Sequence, residues 1–551
     1  MTHTTNPTDT LGTITAYHER SKHSLNGYAA GPGTINWDAQ PDLFRRFAGG
    51  PTTDLPLAAN TLTAAWPDVY SHSGTPRVPD ITGIGILLEL SLGLSAWKQY
   101  GTARWSLRCN PSSGNLHPTE AYVICVGIDG IADGVHHYCS HGHQLEQRCA
   151  IHTEQNAALN QALPDGQLLI GLSSVHWREA WKYGERAFRY CQHDTGHALA
   201  ALRYAAATLG WTARLCDDWS DKQIATILGL DRDGDFGEAE REYPEVIIAV
   251  TTNTNHANPD VDALTTWLRN SDWQGSANIL DRRHMYDWPV IAEVNAASAK
   301  PETVAETFSP IEWPTPVKSG CSTMIATIIR QRRSAQAFDG AGTMTATAFF
   351  RILDMTLPRH DTTPWDCWPY PPRAHLILFV HTVEGLKPGL YLLLRNPAML
   401  ETFRAAMREE FVWENVEGCP AHLPLYHLIT ADSRKAAATV SCHQTIAGNS
   451  CFSLGMLTEY KTALEQGPWY YRRLFWECGL IGQVLYLEAE AAGLRGTGIG
   501  CFFDDNVHSL LGLQDDRFQS LYHFTVGHAV YDARLATLPP YQHLKVNNRD
   551  N

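Results

Sequence analysis

No uninterrupted apolar run in the 551-residue sequence is long enough to span a bilayer, so no transmembrane helix is expected. Positive charge is also in short supply: 43 Lys and Arg stand against 58 Asp and Glu, a formal net charge of −15. A general nucleic-acid binder needs a basic footprint, and an anionic membrane surface would repel this chain. The segment Met1–Thr10 is polar and lacks the basic-then-apolar pattern of a secretory signal. Charged residues make up only 18% of the chain and hydrophobic ones 44%, which excludes global disorder and allows a large core. The 13 cysteines are odd in number and scattered, which points to a reduced, cytoplasmic protein. At roughly 100–200 residues per domain the chain is too long for one ordinary domain.

What is present is an internal repeat. One segment reads Arg189-Tyr-Cys-Gln-His-Asp194-Thr-Gly196, then a helical stretch to Gly210 and later Leu228-Gly229-Leu230. A second reads Arg472-Arg-Leu-Phe-Trp-Glu477-Cys-Gly479, then a helical stretch to Gly493 and later Leu511-Gly512-Leu513. The arginine, the acid, three glycines and the Leu-Gly-Leu all keep one offset of 283 residues, which is best explained by two copies of one domain. The stretches His197–Leu209 and Leu480–Ala492 predict helices stopped by Gly210 and Gly493. Strands are expected at Tyr122–Val126, Gln167–Ile170, Val246–Val250, His375–Val380, Leu425–Thr430 and Tyr522–Val526. There is no regular βαβ alternation, so the fold class is α+β with a largely antiparallel sheet. Boundaries are expected at 1–255 for the first copy and 320–551 for the second. The stretch 256–319 between them is a polar connector without clear periodicity that wraps the surface.

Two motifs carry chemistry. Arg332-Arg333-Ser334-Ala-Gln336-Ala-Phe338 follows a helix pattern at Met324–Arg330, and two guanidiniums with a hydroxyl make a phosphate clamp. Pro111-Ser112-Ser113-Gly114-Asn115 forms a tight loop that presents hydroxyls and backbone N–H groups to a flat polar heterocycle. Other signals carry less. The histidines from His136 to His143 lack paired metal spacings and read as a hairpin tip, so no metal site is expected. Gly496-Thr-Gly498-Ile-Gly500 follows a helix instead of joining a strand to one, so it is no dinucleotide fingerprint. Ser95-Ala-Trp-Lys98 has hydrolase-like spacing without its companion motifs.

Taken together the motifs resemble the FMN-dependent nitroreductase family. Arg-Arg-Ser-x-x-x-Phe is similar to its opening motif. Pro111–Tyr122, Gly134-Val-His-His-Tyr138 and the block Lys182-Tyr183-Gly-Glu-Arg186 with Asp194 and Gly196-His197 resemble its SagB-like thiazoline/oxazoline dehydrogenase branch. Gly389-Leu-Tyr391, Glu477-Cys-Gly479 and Gly498-Ile-Gly500 resemble the general family pattern. The resemblance implies two tandem nitroreductase-like domains forming an intramolecular pseudo-dimer, with FMN at the interface of the copies.

The copies depart from the family pattern in complementary ways. The second keeps the clamp and the glycines. The first keeps the Pro-Ser-Ser loop but reads Arg20-Ser21-Lys22-His23-Ser24 as its version of the clamp and has no glycine in Arg214–Asp218. In the second copy the loop position holds Pro364-Trp-Asp-Cys-Trp368-Pro369. One complete site is therefore expected: Arg332, Arg333, Ser334 and Gln336 on the phosphate, Gly498, Ile499 and Gly500 at the ring edge, and Pro111–Asn115 from the other copy. Gln336 stands where the family often has a basic residue, and Arg534 could supply that charge. Lys182 and Tyr183 match the Lys-Tyr pair of azoline dehydrogenases, one of them accepting a proton; at the 283 offset their counterparts are Glu465 and Gln466. The expected function is an FMN-dependent dehydrogenase of a small heterocycle or azoline-containing peptide, without nucleic-acid or membrane partners. An NAD(P)H-dependent nitro or quinone reductase and a non-catalytic subunit of a peptide-modifying complex remain alternatives.

Overall fold

The structure is a computed structural model that describes residues 7–71, 75–151, 162–163, 167–252, 258–306 and 308–547. Most of Met1–Thr10 and the first residues of the expected connector lie outside these.

Each half of the chain carries a seven-stranded antiparallel sheet. In spatial order the first runs Thr52–Asp54, Gln144–Ala150, Gly134–Cys139, Thr119–Cys125, Gln167–Ser174, Tyr243–Thr251, Thr212–Leu215. The second runs Glu414–Asn415, Leu425–Thr430, Gly389–Leu393, Ala374–Val380, Phe452–Thr458, Gln519–Gly527, Arg495–Ile499. From the second strand onward the two orders match; the outer edge strands differ, Thr52–Asp54 coming first in its sheet's chain order and Glu414–Asn415 lying between Gly389–Leu393 and Leu425–Thr430. The central strands are apolar on both faces because each face has its own core. Val246, Ile248 and Val250 point into one cluster shared by both halves, whereas Ile247 and Ala249 join a cluster of the first half alone. Leu376 and Leu378 face the shared core, and Ile377 and Phe379 face a cluster of the second half. The period-two alternation of side chains thus produces near-continuous hydrophobic runs in sequence.

Two helices of 22 residues, Ala187–Thr208 and Tyr470–Ala491, keep the 283 offset at both ends. Each begins ten residues before the stretch that the sequence predicts. Each is followed by a left-handed glycine, Gly210 (φ +71°) or Gly493 (φ +74°), where only glycine avoids steric cost. They pack on one another at the repeat glycines. A Cβ on Gly196 would lie 2.2 Å from the Trp476 carbonyl oxygen, and one on Gly479 2.2 Å from that of His193. These two glycines are thus held by helix contact across the pseudo-two-fold.

The halves also exchange ends. Ala536–Leu538 leaves the second half and pairs with Leu94–Tyr100 of the first, which itself pairs with Ala103–Arg108. Tyr541 is buried and accepts the Leu94 N–H. In the other direction His18, on helix Pro7–Arg20, bonds Tyr471 and Gln519.

Two expectations need correction. The connector is not featureless: it holds helices Val261–Arg269 and Pro289–Ala297, the first burying Leu264 and Leu268. The first-copy counterpart of the clamp is not Arg20–Ser24. Ala65 and Met324 form an antiparallel bridge in which Trp66 N–H bonds Thr323 and Ile325 N–H bonds Ala64. This reciprocal pairing makes the helical turn Trp66–Tyr70 the counterpart of Ile325–Gln331. The residues that would then match Arg332-Arg333 fall at or beside 72–74, outside the described residues.

Candidate functional site

The edge strand Arg495–Ile499 leaves one side unpaired by its sheet. That side, the clamp segment, the first half's loop 110–117 and the returning C-terminal arm enclose a cavity of about 570 Å³. Arg332, Arg333, Ser334, Gln336, Pro111, Ser112, Ser113, Gly114, Asn115, Gly498, Ile499, Gly500 and Tyr183 all line it. Residues more than 380 positions apart in sequence are thus brought to one place, with both halves contributing.

One end is cationic. Arg332 donates to the carbonyls of Cys109 (3.1 Å) and Arg108 (3.0 Å) and lies over the Tyr486 ring. Arg333 donates to the carbonyls of Arg330, Arg332 and Ser95. Among the described residues, every hydrogen bond from these two guanidiniums, Arg332 buried and Arg333 half-buried, goes to a backbone carbonyl. Burial, then the neighbouring Arg332, pulls the Arg333 guanidinium down to about 10. Lys98 and Arg495 share this end, and Lys98 is shifted down by burial and by Arg333 and Arg495. Glu490 is the nearby acid; it pairs with Arg495, and burial raises its carboxyl to about 7. Four cations stand against one nearby acid, and the excess positive charge favours a bound anion.

The middle is lined by hydroxyls and glycine backbone. Ser334 Oγ bonds Tyr486 Oη at 2.8 Å, and Tyr486 Oη accepts the Gly498 N–H at 2.9 Å. Glycine at 498 and 500 has an aromatic reason. A Cβ would meet Tyr522 Oη at 1.9 Å from Gly498 and the Tyr190 ring at 2.4 Å from Gly500. Across the cavity, Gly114 (φ +58°) and Asn115 (φ +60°) turn the loop through the left-handed region. Ser112 Oγ accepts the His117 N–H, and Asn115 Nδ2 donates to the Ser106 carbonyl. Asn110 Oδ1, on the same wall, is buried without a hydrogen-bond partner.

The other end is a cluster of titratable groups on the first long helix and the helix His176–Tyr183 that precedes it. A Cβ on Gly114 would lie 2.5 Å from Tyr183 Oη and 3.0 Å from Lys182 Nζ, so the loop, the phenol and the amine converge. Lys182 Nζ lies over the Tyr183 ring at 5.1 Å and the Trp37 ring at 5.4 Å, and burial lowers its pKa. Burial raises Tyr183 well above the ordinary phenol. Asp194 accepts from Ser113 N and Oγ, yet burial lifts its carboxyl to about 7. Behind it Glu179 is fully buried, both oxygens unpartnered, and is raised well above a normal carboxyl by burial and by Asp194.

Arg534 is not brought in. It is mostly exposed, holds Asp532 at 2.7 Å and lies over Tyr100. Lys98 and Arg495 line the cavity where Arg534 was expected; Lys98 stood in a motif set aside as hydrolase-like, and Arg495 directly precedes the glycine run. The histidines expected at a hairpin tip are divided. His136 and His137 lie within strand Gly134–Cys139, His137 bridging Glu120 and Glu146, and the tip is Ser140–His143.

Two segments of the chain, residues 99–239 and 457–528, match the Nitroreductase family. The nitroreductase domain occurs twice. A protein of Methanocaldococcus jannaschii, named provisionally as a nitroreductase, is 26% identical over 145 residues, covering 25% of this chain and 68% of its own length. The crystal structure of an Anabaena variabilis protein, likewise a provisional nitroreductase, superposes with a TM-score of 0.64 at 22% identity, over 94% of this chain and 99% of that one. The tandem nitroreductase fold, both sheets together, is therefore found within a single solved chain. Another such protein, from Exiguobacterium sibiricum and crystallised in complex with FMN, aligns over 39% of this chain and 92% of its own with a TM-score of 0.23 and 14% identity. Among the described residues no helix is long and apolar enough to cross a membrane.

Proposed function

We propose that the chain is an FMN-dependent oxidoreductase with a single working site, acting as a dehydrogenase on a small heterocycle or an azoline-containing modified peptide. The observation that carries the reading is the pair of guanidiniums, Arg332 buried and Arg333 half-buried, with no carboxylate bonded to either, at one end of the cavity. These cations, with Ser334, Lys98 and Arg495, would hold the phosphate. The backbone of Gly498–Gly500 and the loop Pro111–Asn115 would flank the ring. When bound, FMN supplies a two-electron acceptor for a hydride.

The chain's own residues then handle the proton. Burial acts oppositely on the two groups of the pair: it favours neutral amine at Lys182 Nζ and neutral phenol at Tyr183 Oη. In this reading Lys182 takes the substrate C–H proton and Tyr183 Oη donates to and orients the ring being oxidised, a division that the two directions favour. The test is anaerobic. Yellow protein should bleach with an azoline-containing peptide, and the product should be the aromatic azole. Bleaching by NAD(P)H but not by such peptides would replace the dehydrogenase reading with a reductase. Protein that carries no flavin and takes none up would leave a non-catalytic role.

A further inference from the structure

A second redox-capable group lies in the wall of the cavity. Of the thirteen cysteines nine are buried, but Cys442 and Cys501 are both half-exposed, and Cys501 lines the cavity next to Gly500. Their sulfurs are 2.8 Å apart although they come from segments 59 residues apart. The backbone is arranged to hold them there. Cys442 (φ +53°) and His443 (φ +59°) are consecutive non-glycine residues in the left-handed region, a conformation that persists only when its surroundings enforce it. Gln444 Nε2 donates to the Cys501 carbonyl and Arg186 Nη2 to the Gly500 carbonyl, which fixes the opposite strand end.

A third group completes the arrangement. His23 Nδ1 accepts the Ala29 N–H at 2.9 Å, so a neutral imidazole carries its proton on Nε2. His23 lies close enough to Cys501 to act on its charge. The bond to Cys442 and the neighbouring His23, with Arg186 nearby, draw the Cys501 thiol down to about 5, whereas Cys442 is raised. Cys501, which lines the cavity, is placed to meet an external group first, with Cys442 behind it as the second thiol. Outside them Tyr28, 60% exposed, packs on His23 and Phe503 and forms an aromatic rim.

We propose that Cys442 and Cys501 form a reversible dithiol/disulfide centre that reacts with aliphatic disulfides at the rim of the cavity. The Cys501 thiolate attacks one sulfur of the external disulfide, and the other sulfur leaves as a thiolate. Cys442, losing its proton, then attacks the Cys501 sulfur and expels the second thiolate. From its thiolate–thiol form the protein loses two electrons and one proton; the external disulfide gains them and becomes one thiol and one thiolate, which takes its proton from solvent. Assignment of this centre stands independently of the flavin reading.

The test uses the whole chain, with and without flavin, and hydroxyethyl disulfide as the probe. After reaction, acid quench and alkylation with N-ethylmaleimide, the digest should contain a Cys442–Cys501 cross-linked peptide lacking two hydrogens, which dithiothreitol reverses. In unoxidised protein at mildly acid pH, Cys501 should alkylate at least about tenfold faster than Cys442. Cys442→Ser should stop at a Cys501 adduct of the probe; Cys501→Ser should form little adduct at position 442. Two separately alkylated cysteines after oxidation of the parent protein, or equal alkylation rates at both, would overturn the proposal.

Discussion

Beside the strand Arg495–Ile499 the protein leaves a cavity lined by cations; beside its counterpart, Thr212–Leu215, the protein supplies its own filling. The turn Trp365–Cys367 packs on Thr212–Leu215, with Trp365 and Trp368 buried. Tyr486, which in the open site bonds Ser334 and Gly498, is replaced at the 283 offset by Arg203, whose guanidinium is held by both oxygens of Asp366 at 2.8 and 2.6 Å. Tyr190 is replaced by Arg473, which stacks 3.9 Å from the centre of Tyr370 and pairs with Glu306. The connector completes the closure: Thr303 N–H bonds the Asp218 carbonyl, Glu306 N–H bonds Asp217, and Lys300 Nζ bonds the Trp219 carbonyl. Asp217 stands where the open site has Gly500. The acids behind the two sites differ as well. Asp194 accepts from Ser113 and has no cation among its bonds, whereas Glu477 accepts from Arg373 N–H and is locked to Arg395. A duplicated scaffold has two equivalent crevices, and side-chain volume with internal charge pairing decides which one stays open.

The comparison breaks most sharply at the chemical step. Lys182→Ala and Tyr183→Phe should lower turnover by roughly 10²–10⁴-fold with flavin content unchanged, the range typical of a lost general acid or base. Changing their counterparts Glu465 and Gln466 to Ala should leave turnover within about twofold, since surface substitutions away from the chemistry rarely matter more. Anaerobic bleaching rates with an azoline peptide measure both. Loss of flavin from the Lys182 or Tyr183 variants would place the pair in the cofactor shell instead.

Next in size is the ion pair that fills the second crevice. Arg203 is fully buried and Asp366 nearly so. Removing one partner of such a pair costs about 3–5 kcal/mol, reduced here to roughly 2–4 by the part of Asp366 that reaches solvent. Arg203→Ala should therefore lower the denaturant midpoint clearly while leaving flavin content unchanged. Loss of flavin with no loss of stability would reverse the roles assigned to the two crevices.

Much of this asymmetry was legible in the sequence, because it is written in residue types at one spacing. The 283 offset fixed the two long helices, their glycine stops and the crossing glycines Gly196 and Gly479. The loss of glycine at 214–218 and the bulky loop at 364–369 marked the second crevice as altered. What was not legible was whatever the pattern shares with ordinary surface. Arg20–Ser24 looks like a clamp by composition, but position in the fold is set by the bridge at Ala65 and Met324, and no motif announces it. Arg534 looked useful because it is near the end of the last long strand, yet nothing buried holds it there. Glu179 and Tyr486 carry no signature apart from their places on helices.

A third prediction concerns the cation cluster. Charge-assisted hydrogen bonds are worth roughly 1.5–3 kcal/mol each. Arg333→Ala should weaken flavin binding by about 10–100-fold, measured by fluorescence titration of stripped protein. Because Arg333 is half-buried without a bonded carboxylate, the flavin-free variant should be about as stable as the parent, or more so. Lys22→Ala, on the segment wrongly matched to the clamp, pairs instead with Glu19 and Asp505 and should leave flavin binding unchanged. Unchanged affinity in Arg333→Ala would move the anion site away from this end of the cavity.

The smallest effect is expected where the connector closes the second crevice. Glu306 is about a quarter exposed and its pair with Arg473 joins the connector to the second long helix. Solvent screening limits such a pair to roughly 1 kcal/mol, so Glu306→Ala should shift unfolding only slightly. Its value lies in flavin stoichiometry. If the second crevice is closed by Trp365, Trp368, Tyr370 and the Arg203–Asp366 pair, loosening the connector does not open it. Released flavin, quantified by absorbance against protein, should then remain a single FMN per chain in the parent and in Glu306→Ala. A rise toward two FMN in the variant would show that the connector alone guards a crevice still able to bind. Two FMN in the parent would show that the crevice was never closed, and the contrast between the halves would then lie in chemistry and not in occupancy.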